Sequence, residues 1–181
     1  MAGPADLLRN KLDHLKFRII CSRFRPADTL MDIGCGNRPQ TVIRVRKRHY
    51  AIDPMVTPDR PEPSPVVRLK GDWKDALQRA RENPPDCLTL MDVIEHLPKE
   101  EGRALLRETE LLVNRIIVFT PLGFLAQEDG EWNTHRSGWQ PEDFGDNWTV
   151  HVFPHFHWCD FRGTVFDRPR GALLAVFDKN A

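Results

Sequence analysis

The sequence predicts an α/β protein: a mostly parallel sheet with helices on both faces. Three observations carry this. Short apolar runs of three to five residues recur along the chain, helical stretches lie between several of them, and the runs lack clean polar–apolar alternation. Strands buried on both faces read this way, and alternating strand and helix signals imply parallel pairing.

Taken in order, the N-terminal stretch MAGPADLLRNKLDHLKF predicts an amphipathic helix within residues 1–27, with no apolar signal core. Thr29–Ile33 is the first strand-like run, closed by Gly34. Arg44-Val45-Arg46-Lys47-Arg48 is the sharpest basic cluster and reads as a solvated helix face or, alternatively, a phosphate or nucleic-acid contact, which would assist RNA binding. Tyr50–Ile52 follows as a strand. Residues 54–65 carry five prolines, which remove donors and exclude helix, so an extended surface loop is expected. Val66–Leu69, Cys87–Met91 and Arg115–Phe119 are further strands. Lys99–Leu112 is the clearest helix, opened by Pro98, with Leu105, Leu106, Leu111 and Leu112 near helical spacing. Thr149–Phe153 and Ala172–Phe177 then close the sheet as an antiparallel pair. Pro154 should end the first of these, leaving His151, His155 and His157 at a strand end or on the surface. Phe153, Phe156, Trp158 and Phe161 are expected in the core or an interface.

The chain of 181 residues, 40% apolar and 29% charged, fits one domain spanning 1–181. No apolar run is long enough for a spanning helix, so no membrane partner is expected. Cys21, Cys35, Cys87 and Cys159 form no C-x-x-C pair, which suits free thiols and a cytoplasmic setting. Net charge is zero, yet residues 1–50 hold 11 Lys/Arg against 4 Asp/Glu. A globally neutral chain has little non-specific nucleic-acid affinity, so a nucleic-acid partner is not expected. A monomer or homodimer is.

Ligands of open α/β sheets bind beyond the carboxyl ends of the strands. The first strand ends Asp32-Ile33-Gly34-Cys35-Gly36-Asn37, where two glycines let backbone approach a ligand. A dinucleotide fingerprint wants a third glycine where Pro39 stands, which weighs against NAD. Asp53 ends the second strand, 21 residues after Asp32, and suits a ribose diol; it equally suits a turn before Pro54. Asp72 can accept from an adenine amine while Trp73 covers the ring, or Asp72 caps a helix. The fourth strand ends Asp92-Val93-Ile94-Glu95-His96-Leu97, and the fifth Thr120-Pro121-Leu122-Gly123.

The motifs LMDIGCGNRP, YAIDP, GDW, DVIEHL and IIVFTPLGF, in this order and spacing, resemble the class I S-adenosylmethionine-dependent methyltransferases, in particular the group related to ubiquinone-pathway O-methyltransferases. The resemblance covers roughly residues 28–125. It implies a Rossmann-like seven-stranded, mostly parallel sheet with an antiparallel last strand. It also implies S-adenosylmethionine as cofactor, held by Asp32, Gly34 and Gly36, by Asp53 at the ribose and by Asp72 and Trp73 at the adenine, with Asp92 also at the cofactor.

Residues 121–147 are too long for an ordinary connection and read as a substrate-side insertion carrying Gln127, Trp132, Asn133, His135 and Trp139, able to form a lid. Here the chain also resembles the small-RNA 2′-O-methyltransferases. Those enzymes hold a divalent metal through an acid-x-x-Glu-His motif and a later His upstream of a Trp and a Phe. The matching residues are Asp92, Glu95, His96 and His135, although Asp92 stands where those enzymes carry a longer Glu. Glu95, His96 and His135 are the candidate catalytic residues; without a metal, His96 or His135 is the candidate general base. The expected activity is methyl transfer to an O or N nucleophile of a small molecule, a sugar or secondary metabolite. The alternatives are metal-assisted RNA 2′-O-methylation and a non-catalytic cofactor-binding or partner subunit.

Overall fold

The computed structural model describes residues 4–39, 42–57, 65–159 and 165–180. Helix α1 (Pro4–Ser22) leads into β1 (Ala27–Ile33), β2 (Val45–Asp53) and β3 (Val66–Lys70). Helix α2 (Trp73–Glu82), β4 (Cys87–Met91), a 3₁₀ turn (Ile94–His96), α3 (Lys99–Leu112) and β5 (Arg115–Pro121) follow. A one-turn α4 (Gly130–Asn133) and a second 3₁₀ turn (Pro141–Asp143) precede β6 (Trp148–Cys159) and β7 (Val165–Asp178). The seven strands order as β3-β2-β1-β4-β5-β7-β6. β1 to β5 run parallel, and β7 lies antiparallel between β5 and β6. The expected mostly parallel sheet and its antiparallel last strand, β7, are both present.

The centre is apolar for the reason the sequence suggested. Every residue of β4 and β5 is buried, because helices cover both faces. On one face α2 and α3 pack Ala76, Leu77, Leu105 and Leu106 against Met31, Ile33, Leu88 and Ile116. On the other, Phe17 and Ile20 of α1 pack against Leu30, Met91, Phe119 and Phe153. Leu111 of α3 departs from the expected apolar stripe and stays 81% exposed. No helix among the described residues is long and apolar enough to cross a membrane.

Two elements correct the sequence reading. The basic run 44–48 is not a helix face: β2 begins at Val45, and Arg46 and Lys47 both pair with Asp28 (3.6 and 2.7 Å). Its exposed amino end hides a strand under charge, and only Tyr50–Asp53 carries the apolar signal. Pro154 does not end β6, which continues to Cys159 with register shifts after Phe153. An edge strand tolerates proline because one side of its ladder is unused. That edge is covered by α1, whose Asn10 Nδ2 donates to the carbonyls of His155 and Phe156. Most of the proline-rich segment, residues 58–64, and Phe161 lie outside the described residues.

Candidate active site

The cleft forms where β1, β2 and β4 end. Ile52 O accepts from both Gly34 N (2.8 Å) and Cys35 N (3.4 Å), so the glycine turn folds back over β2. Gly34 has φ +70°, and a Cβ there would stand 2.5 Å from Val93 Cγ2. Gly36 has φ +54° and open space where a Cβ would point. The first glycine is required by close approach of the β4 loop, the second by a left-handed turn facing the cleft. Asp53 Oδ2 accepts from Gly36 N (2.9 Å) and Oδ1 from Met55 N (2.7 Å), joining the two turns. A carboxylate keeps further lone pairs beyond these two bonds. Arg68 of β3 supports the same turn from behind, donating to Asn37 O (2.9 Å).

Gly34, Gly36, Asp53, Asp72 and Trp73 line one side of the cleft. Asp92, Val93, His96, Trp132 and Asn133 line the other. Asp72 is also the N-cap of α2: Oδ1 accepts from Lys74 N and Asp75 N in a reciprocal capping box. The helix-cap reading of Asp72 is therefore present, on a residue that also lines the cleft. Asp32 is placed differently from expectation. It has no exposed surface, accepts from Thr89 Oγ1 (2.7 Å), and lies 3.6 Å from His49 Nε2. Its side chain braces β1 against its neighbours beneath the turn rather than lining the cleft.

Asp92 takes a left-handed conformation, φ 54°, with its N–H donated to Phe119 O. Asp is one of the few residues that tolerates this, and such outliers concentrate at functional sites. Its carboxyl opens onto the cleft while protein surrounds it on the other sides, and this desolvation pushes it up to about 6.

Beyond Asp92 the 3₁₀ turn carries Glu95 and His96 toward the insertion. Glu95 O accepts from Arg136 N (2.7 Å) and Ser137 N (3.0 Å), and Ser137 Oγ donates to Ile94 O (3.1 Å). These bonds seat His135 beside the turn. Ligating atoms of Glu95, His96 and His135 come within 4.8 Å of one another, and the two rings stand edge to face with centroids 4.8 Å apart. Asp92 is outside this group, so the structure gathers three of the four expected metal ligands; its shorter arm and left-handed backbone aim it at the cleft.

The protonation of the cluster is legible from its partners. His135 Nδ1 meets Leu125 O at 2.6 Å, and His96 Nδ1 meets Thr134 O at 3.3 Å. A carbonyl accepts only, so each Nδ1 carries the proton and each Nε2 keeps a lone pair. Desolvation lowers the pKa of both imidazoles, and the His135 ring lowers His96 further. Glu95 is 2% exposed, with Oε2 accepting from Thr120 Oγ1 (2.9 Å) and Oε1 buried without a partner. Burial first, then the neighbouring Asp92 charge, raises its carboxyl well above the usual range. A buried orphan acceptor beside two neutral imidazole lone pairs fits a divalent cation, and the Nδ1–carbonyl bonds are the supporting contacts such ligands use.

Sequence reasoning passed over Thr120, Ser137 and Arg68. Thr120 at a strand end was the one legible signal; the other two act through contacts far apart in sequence. Trp139, expected on the substrate side, is fully buried instead, with Nε1 donating to Ser137 Oγ and Lys99 Nζ 3.8 Å from its ring centroid. The insertion's second half is thus fastened to the domain, and only Trp132 and Asn133 reach the cleft.

Strand order, the reversed β7 and a glycine turn at the first carboxyl end together define the fold of the class I S-adenosylmethionine-dependent methyltransferases. Solved structures of similar fold agree. One is a cyclopropane-fatty-acyl-phospholipid synthase-like protein from Lactobacillus casei (TM-score 0.61, 9% identity, 94% of this chain and 92% of that one). Another is a SAM-dependent methyltransferase from Archaeoglobus fulgidus (0.54, 15%, 93% of each). A third is the small RNA methyltransferase HEN1 (0.54, 14%, 94% of this chain and 25% of that one). No family model and no curated protein matches the sequence.

Proposed function

We propose that the chain transfers a methyl group from S-adenosylmethionine to a hydroxyl of a small molecule such as a sugar, with a divalent cation held by Glu95, His96 and His135. The observation that carries this reading is the convergence of three acceptor groups, one of them a buried orphan oxygen, beside the cleft that the glycine turn and Asp53 define. Asp53 suits the ribose hydroxyls, and Asp72 with Trp73 the adenine. That orientation directs the methyl toward Asp92 and His96.

In the reaction the acceptor oxygen attacks the sulfonium methyl carbon in line. The carbon–sulfur bond breaks with its electron pair passing to sulfur, and S-adenosylhomocysteine leaves. The cofactor supplies the reactive group, and the protein supplies orientation and electrostatics. A bound cation lowers the pKa of a hydroxyl it coordinates. Where no cation is present, the neutral Nε2 of His96 or His135 takes the hydroxyl proton. An N nucleophile that arrives unprotonated needs neither, so the cluster favours oxygen.

The second reading, 2′-O-methylation of RNA, rests on the same Glu95-His96 and His135 pattern. The basic run offered for RNA sits at the amino end of β2, opposite the end carrying Asp53, with Arg46 and Lys47 engaged by Asp28. The test is methyl transfer from labelled cofactor to a panel of sugars and other hydroxylated metabolites against a short RNA, with chelator and with added Mn²⁺. Metal-dependent labelling of a small molecule supports the reading. RNA labelling favours the second one, and turnover unaffected by chelator and by His135→Ala removes the metal. If S-adenosylhomocysteine does not bind in calorimetry, the chain is instead a non-catalytic partner.

A further inference from the structure

Helix α1 packs Phe17 and Ile20 inward on the sheet, yet it also leaves a row of apolar residues on its outer face. Its inward face is partly polar. Asn10 Nδ2 donates to His155 O (2.7 Å) and Phe156 O (2.6 Å), and the buried Asp13 accepts from His155 N (2.7 Å). These contacts satisfy the backbone of β6 where Pro154 and the register shift disturb the ladder. The opposite face carries Leu8, Leu12, Leu15 and Ile19, between 42% and 59% exposed. Their 4-3-4 spacing aligns them in one stripe along the helix.

The stripe is flanked by cations alone. Helical spacing puts Arg9 and Lys16 along one side and Lys11 and Arg18 along the other, all exposed. Of the two acids in the helix, Asp13 is buried with Lys16 at 3.9 Å from it, and Asp6 pairs with Arg9 at 3.6 Å, so both acids sit on the inner side of the basic row. A second copy of the chain would set cation against cation on both flanks. Four half-exposed side chains also fall well short of the about 800 Å² per partner that a stable interface buries. A convex apolar ridge between two basic rows matches a soft, negatively charged boundary: apolar side chains enter the headgroup–acyl region while the cations meet anionic headgroups.

We propose that α1 docks the protein on anionic lipid surfaces, lying flat with Leu8, Leu12, Leu15 and Ile19 inserted. The docking is peripheral and reversible, and it weakens with salt because its electrostatic part is exposed.

The experiment is co-sedimentation of the full chain with phosphatidylglycerol-containing vesicles and with pure phosphatidylcholine vesicles, at low and high salt. Sedimentation velocity without lipid runs alongside. Leu12→Gln/Leu15→Gln and Lys11→Gln/Lys16→Gln test the two components; all four positions are exposed, and thermal melts confirm that both variants fold. The expected result is selective binding to the anionic vesicles, reduced roughly tenfold or more by either variant and reduced by salt. Absence of binding at low salt, equal binding to both vesicles, or binding that survives Leu12→Gln/Leu15→Gln overturns the proposal. So does a dimer in solution that Leu12→Gln/Leu15→Gln dissociates, which would give the stripe to a second copy.

Discussion

Replacing Glu95 with Gln should make the metal-free protein more stable while abolishing its response to metal. Glu95 Oε2 is held by Thr120 Oγ1, and Oε1 is buried with no partner. With both Nδ1 atoms committed to carbonyls, neither neighbouring neutral imidazole has an N–H left to offer that oxygen. Gln keeps an oxygen for Thr120 and places two N–H donors where the orphan oxygen stood. Relieving one unsatisfied buried acceptor is worth about 1–3 kcal/mol, or roughly 2–12 °C in melting temperature for a chain of this length. The sign with pH follows from the raised Glu95 pKa. Below its unfolded value of about 4.3 the carboxyl is neutral in both states and the two proteins should melt alike. Stability of the wild type is lost as pH rises through the folded value, so the gap should widen toward alkaline pH. The assay is thermal melting in chelator across pH, repeated with Mn²⁺. A cation at 100 times its dissociation constant adds about 2.7 kcal/mol to the wild type and nothing to Glu95→Gln. A chelated Glu95→Gln protein that melts at or below wild type would refute the convergence of lone pairs on which the metal assignment rests.

Asp53→Asn sets an amide against Gly36 N or Met55 N and removes the charge that the proposed function assigns to the ribose; S-adenosylhomocysteine affinity in calorimetry should fall roughly 10- to 100-fold. His157 is pushed down to about 4 by burial, with Nε2 buried and unpartnered. The unfolded chain therefore binds a proton that the folded one does not between 6.5 and 4, and stability should fall through that window by at most roughly 3 kcal/mol; His157→Phe should flatten the curve in melts from pH 7 to 4. Ser137→Ala strips an acceptor from Trp139 Nε1 and a donor from Ile94 O. It should cost about 2–4 kcal/mol in urea unfolding and weaken Mn²⁺ binding, while leaving S-adenosylhomocysteine affinity unchanged.

The legible parts of this fold are those in which one short segment carries both the element and its reason. Cys87–Met91 closed by Asp92 and Lys99–Leu112 opened by Pro98 state their own boundaries, and Thr29–Ile33 closed by Gly34 states its carboxyl end, the strand starting two residues earlier at Ala27. The illegible parts depend on partners far along the chain. Asp32 reads as a cleft residue from its place before Gly34, but Thr89, 57 positions on, draws its side chain into the sheet. The amino half of β2 reads as a basic helix face because its side chains stay in solvent, and only pairing with β1 (Thr29 with Arg48, Leu30 with His49) makes it a strand. Pro154 reads as a stop because nothing local says that β6 is an edge. His135 was found by pattern, yet the cause of its position is the carbonyl of Glu95, which no pattern shows.

That carbonyl gives the site its economy of parts. The turn Asp92–His96 spans five residues, and within them Asp92 and Val93 close the cleft, Glu95 and His96 enter the cluster, and the Ile94 and Glu95 carbonyls hold residues 136 and 137. The separation between cleft and cluster is therefore set by one short backbone segment, anchored in β4 on one side and by Pro98 and α3 on the other. Trp132 and Asn133 belong to the insertion that these carbonyls hold, and both line the cleft. In the proposed reaction such a segment would place a nucleophile at low entropic cost, and it would leave the choice of acceptor to the short stretch around Trp132 and Asn133.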